Sequence, residues 1–79
     1  MSQCHDEYKF FLKSLGENIR KAREGKDLTQ DMLASELQSS PKYVGCIERA
    51  EKNVSLKFLF RMAKTLDKTI EDLCKNTMK

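Results

Sequence analysis

The chain has 79 residues, with 15 Lys and Arg against 12 Asp and Glu and a formal net charge of +3. That length holds one domain near the small end of what buries a self-sufficient core, so a second copy is expected as a partner on size grounds. Three cysteines (Cys4, Cys46, Cys74), odd in number and without close Cys/His ligand spacing, argue against a zinc site and for reduced thiols. The chain also carries no secretory signal and no apolar run of about 18 residues, so a cytoplasmic protein without membrane contact is expected.

Tyr8, Phe11, Leu12, Leu15, Ile19 and Ala22 recur at the three-to-four spacing of an amphipathic helix. Ser14 with Glu17 has the pattern of a capping box, which offers a second start. The apolar stripe keeps its phase across Gly16, however, and favours one helix running from near Asp6. Gly25 is expected to end it as a C-cap glycine. Residues 1–13 then form an N-terminal helical extension.

Thr29 is a good N-cap for a second helix reaching Gln38, with Leu33, Ala34 and Leu37 as its apolar side. Ser40 followed by Pro41 restarts a helix at once, because a capping oxygen and a ring at the first helical position form a specific start signal. The third helix is expected from Ser40 to Ala50. Two helices joined by so tight a turn make a helix-turn-helix, whose second member commonly enters the DNA major groove.

Glu51-Lys52-Asn53-Val54 reads as a polar loop. Ser55 caps a fourth helix that places Leu56, Leu59, Ala63 and Leu66 on one face. Thr69 with Asp72 forms a capping box that opens a short fifth helix carrying Ile70 and Leu73. Residues 75–79 are expected to fray. The fold class is all-α, a compact five-helix bundle in a single domain over residues 1–79.

On the third helix, Val44 and Ile47 point inward, so Lys42, Tyr43, Cys46 and Arg49 lie away from the core or along its margin. Lys42 sits in the first turn, where an amine can donate to guanine O6 and N7. Tyr43 has two readings, a phosphate or thymine-methyl contact and a packing residue. Cys46 is small and would permit close approach. Arg49 reads equally as a DNA contact and as a solvated charge. Ser39 and Ser40 offer hydroxyls to phosphate, although Ser40 is also the cap. Lys57, Arg61, Lys64 and Lys68 share one face of the fourth helix and read as a solvent face, with Lys57 alone near enough its N-terminus for phosphate.

Residues 20–52 carry seven basic and six acidic side chains, so charge alone does not point to nucleic acid. The motif does. Leu28-Thr29-Gln30, Leu33-Ala34, Tyr43-Val44, Ile47-Glu48-Arg49 and the run from Asn53 to Leu56 together resemble the Cro/repressor-type (XRE-type) helix-turn-helix domain over residues 15–73. Lys52-Asn53-Val54-Ser55-Leu56 is further similar to the short controllers of restriction–modification systems.

The resemblance implies a repressor-like bundle and a sequence-specific regulator of transcription that binds double-stranded DNA. It further implies a homodimer reading a palindromic operator through the third helix, with no cofactor and no catalytic residue. It assigns Gln30 a phosphate clamp that also braces the reading helix, Lys52 and Asn53 backbone contacts, and Arg23 with Glu48 a structural ion pair. Two departures stand out. Gln38 occupies a turn position where many relatives have glycine, and Ser39 replaces a common apolar residue.

A protein-interaction or antitoxin-like module is the alternative function. Phe58, Phe60 and Met62 exceed what one face of the fourth helix needs, which points either to a partner surface or to packing beneath Phe10 and Phe11. The single histidine, His5, sits near the chain start without a candidate pocket, so no enzyme and no small-molecule ligand are expected.

Overall fold

The computed structural model describes residues 2–78, with side chains from residue 5 onward. Met1, Lys79 and the Cys4 thiol, which belong to the expected extension, tail and free-thiol set, lie outside the described residues. Five helices follow in order: α1 Ser2–Gly25, α2 Gln30–Glu36, α3 Pro41–Glu48, α4 Leu56–Thr65 and α5 Ile70–Leu73. At about 1.5 Å rise per residue, the 24 residues of α1 span roughly 36 Å. That matches the 37 Å long dimension of the molecule, so α1 is its spine.

The unbroken α1 places Ser14 in mid-helix, and Ser14 therefore caps nothing. Gly16 is retained for a different reason. A Cβ there would stand 2.5 Å from the Glu48 carbonyl oxygen and 2.7 Å from that of Ile47. The missing side chain lets the end of α3 lie directly against α1. Leu15 and Ile19 flank this crossing and are fully buried.

The N-caps follow the sequence closely. Thr29, Ser40, Ser55 and Thr69 each accept from the backbone N–H three residues on, and Pro41 opens α3. The C-termini were less legible. Gly25 does not take the left-handed conformation; Asp27 does, two residues later, with φ 58°. Gln38, Ala50 and Asp67 do the same after α2, α3 and α4. The N–H of the next residue then closes back on the helix, as Ser39 to Ala34, Glu51 to Cys46 and Lys68 to Ala63, each at 2.8 Å. This pattern is the Schellman motif, and it ends α2 and α3 before the expected Gln38 and Ala50.

Leu15, Ile19, Leu33, Ala34, Leu37, Val44, Ile47, Leu59, Met62, Ala63, Leu66 and Leu73 make one core. Two expectations for α4 are corrected. Leu56 is 82% exposed, because the first turn of α4 precedes the core, whereas Met62 is fully buried and takes its place on the inner face. Phe58 packs edge-on against Tyr43 of α3 with ring centroids 5.1 Å apart, rather than under the N-terminal extension.

Arg61 departs from the expected solvent stripe as well. Its Nη2 donates to the Leu37 carbonyl at 2.6 Å and satisfies the end of α2, while Lys57, Lys64 and Lys68 are exposed. The chain after α5, expected to fray, folds back instead. Thr77 is buried and donates to the Cys74 carbonyl, and Asn18 of α1 donates to the carbonyls of Leu73 and Lys75, both at 2.8 Å.

Candidate nucleic-acid interface

α2 and α3 meet across the turn at Gln38 and Ser39, and α3 is the better anchored of the two. Its inner side buries Val44, Gly45, Cys46, Ile47 and Glu48. Glu48 is a charge inside the protein, and its carboxylate is fully engaged. Arg23 Nε donates to Oε2 at 2.7 Å, Arg23 Nη2 to Oε1 at 3.1 Å, and Gln30 Nε2 to Oε1 at 3.0 Å. Arg23 Nη1 turns to the Leu28 carbonyl at 2.8 Å. Its hydrogen bond to Glu48 raises the guanidinium pKa against the opposing effect of burial. α1, the loop before α2, the first residue of α2 and the last of α3 are thereby tied at one carboxylate.

Pro41 and Lys42, at the N-terminal tip of α3, are exposed, and Tyr43 is half-buried against Phe58. Ser40 Oγ accepts from the Tyr43 N–H at 3.1 Å, so its oxygen serves as the cap. Ser39 is half-buried in the turn. Lys52 and Asn53 are exposed in the loop after α3. Tip, turn and loop thus carry amine, hydroxyl and amide donors around the outer side of α3.

Cys46 does not belong to that outer side. It is only 8% exposed and lies beneath Arg49, whose Nη2 is 3.9 Å from the sulfur. At the preceding residue, Gly45 leaves room for the Arg49 guanidinium and the Gln30 amide to lie close against α3. Arg49 is exposed but not free. It forms a two-pronged pair with Glu51 at 3.1 and 3.2 Å, which raises the pKa of Arg49 and lowers that of Glu51 through the shared hydrogen bonds.

The helix-turn-helix family model matches residues 19–73, which run from the last third of α1 to the end of α5. The chain belongs to the XRE-type helix-turn-helix family. It is 37% identical to the control protein C.SmaI of Serratia marcescens over 59 residues, covering 75% of this chain and 70% of that protein. Its fold superposes on the restriction-modification controller protein C.AhdI of Aeromonas hydrophila with a TM-score of 0.75 at 35% identity, covering 78% of this chain and 94% of that one. The clp gene regulator ClgR of Corynebacterium glutamicum gives a TM-score of 0.77 at 30% identity, covering 80% and 67% of the respective chains.

As a member of this family the protein is a DNA-binding regulator of transcription. Among the described residues of this helix-turn-helix protein, no group of His, Cys, Asp and Glu side chains is arranged to hold a metal ion. No described helix is long and apolar enough to cross a membrane. Two contacts beside this surface escaped the sequence. Glu51 restrains Arg49, a role that an Arg-x-Glu spacing in a loop would have suggested. Tyr8 donates to Asn53 at 2.8 Å across 45 positions, and no local signal marks it.

Proposed function

We propose that the protein is a sequence-specific regulator that binds a palindromic operator as a homodimer, in the manner of a restriction–modification controller, with α3 in the major groove. The observation that carries this reading is the asymmetry of α3. Its inner side is locked by the Arg23–Glu48–Gln30 cluster, while at its tip the Lys42 side chain is exposed and makes no hydrogen bond within the described residues. A rigid helix with a free amine at its N-terminal end suits direct readout of guanine.

The other contacts divide by chemistry. An amide nitrogen carries two hydrogens, and Glu48 takes one from Gln30, so Gln30 can brace α3 and clamp a phosphate together. Ser39, Ser40, Lys52 and Asn53 supply further donors to the backbone, and Tyr43 borders the same surface. Arg49 joins them when phosphate displaces Glu51. Cys46 contributes shape under Arg49 rather than a base contact.

For the dimer, Leu56 and Phe60 lie one turn apart on the outer face of α4, 82% and 55% exposed, with Ile70 of α5 also partly exposed. We assign this apolar face to the second copy. A two-fold axis there would present paired α3 helices to half-sites about 34 Å apart. An antitoxin-like partner would use the same face, and sedimentation separates the two. A dimer of this chain alone, weakened by Phe60→Glu, supports the proposal, and a monomer at all concentrations that still fails to bind duplex DNA overturns it.

A further inference from the structure

We infer that Tyr8 is a positioning residue for DNA binding: it orients the Asn53 amide so that its NH2 faces a backbone phosphate. The inference rests on the reading of the α3–α4 loop as a phosphate contact. Tyr8 lies in the part of α1 that precedes the family-matched residues 19–73, so the device lies outside what the family model describes. Phe11 is packed against the core, Tyr8 stacks on Phe11 with centroids 6.2 Å apart, and the Tyr8 hydroxyl donates to Asn53 Oδ1 at 2.8 Å. The chain of contacts runs from core to loop.

The amide has two ends and they are not equivalent. A phenol can donate or accept, so either end of Asn53 would satisfy Tyr8 in the free protein. Only the observed orientation, with Oδ1 toward Tyr8, leaves Nδ2 as an outward donor. A phosphate oxygen accepts and never donates, so the orientation that phosphate requires is the one in which Tyr8 already donates to Oδ1, and both partners are satisfied without an amide flip. Asn53 is exposed, and without this anchor its side chain would have to be ordered on binding.

The test uses the full chain, the tightest duplex enriched from a random double-stranded pool, and the unselected pool. Tyr8→Phe keeps the ring on Phe11 and removes the hydroxyl alone. It is expected to weaken both duplexes alike, by about three- to tenfold, with an unchanged melting temperature. Asn53→Ala should weaken binding similarly, and the double variant should bind no more weakly than Asn53→Ala. Asn53→Asp keeps the acceptor for Tyr8, loses the donor and should bind more weakly than Asn53→Ala. Unchanged affinity for Tyr8→Phe, or additive losses in the double variant, would overturn the inference while leaving the functional reading intact. Absence of duplex binding by the unaltered chain would remove both.

Discussion

Arg23 Nε lies 2.7 Å from Glu48 Oε2, and this one pair fastens the end of α1 to the last residue of α3. Both side chains are buried, so their value to stability is a balance between Coulomb attraction and lost hydration. Arg23→Leu leaves a buried carboxylate with Gln30 as its remaining donor. A loss of about 3–5 kcal/mol is expected in urea unfolding. The double variant Arg23→Leu/Glu48→Met removes both charges and should recover most of that stability, although α3 would lose its orienting contact and DNA affinity with it. Equal stability of the single and double variants would contradict this account.

The glycines of α1 make opposite predictions. Gly16→Ala drives a Cβ into the backbone carbonyls of Glu48 and Ile47, so strain of about 1–3 kcal/mol outweighs the helix-propensity gain of roughly 1 kcal/mol. Gly25→Ala meets nothing within 4 Å and has no positive φ to lose. It should stabilise by about 0.5 kcal/mol. Thermal melting of the two variants checks the pair.

Gln38 follows α2 in the left-handed region at φ 54°. Gln38→Gly relieves that conformation and should raise stability by about 0.5–1 kcal/mol. Gln38 side-chain atoms make no hydrogen bond within the described residues, so duplex affinity should stay unchanged.

Much of the fold was legible because N-caps are local chemistry: Thr29, Ser40-Pro41, Ser55 and Thr69 fixed four helix starts to the residue. Helix ends were harder, since a left-handed residue need not be glycine, and Asp27, Gln38, Ala50 and Asp67 carry little signal. In the candidate site, Lys42 could be placed from helical phase, whereas Gln30 was marked only by the family resemblance. Spacing put Cys46 at the margin of α3 but did not show how little of it is exposed, and it missed Arg61 because the carbonyl that side chain caps lies 24 positions away. Contacts of that kind are set by packing, which spacing does not encode.

Glu51 holds Arg49 at the edge of the proposed interface, and both groups are exposed. Glu51→Gln should leave the melting temperature unchanged, since such surface pairs contribute little to stability. It should strengthen duplex binding and steepen the dependence of log affinity on log salt by about one unit, as one more guanidinium reaches phosphate. A titration series across salt concentrations decides it.

Three exposed carboxylates have pKa values below their ordinary range. The Thr69 backbone N–H lowers that of Asp72 through a hydrogen bond, Lys26 does so for Asp67, and Arg49 for Glu51. A depressed folded-state pKa contributes stability above the unfolded value, and that contribution is lost as pH falls through the folded value. Melting temperature should therefore be flat near neutrality and fall below about pH 4. Asp72→Asn should flatten part of that acid limb.

The central claim is that α3 reads base sequence, and selection from a random pool of duplexes tests it most directly. Enrichment of a palindrome is expected, weakened by Lys42→Ala at particular base pairs and by Gln30→Ala across all sequences alike. No enrichment, with equal affinity for every duplex at each salt concentration, would contradict it.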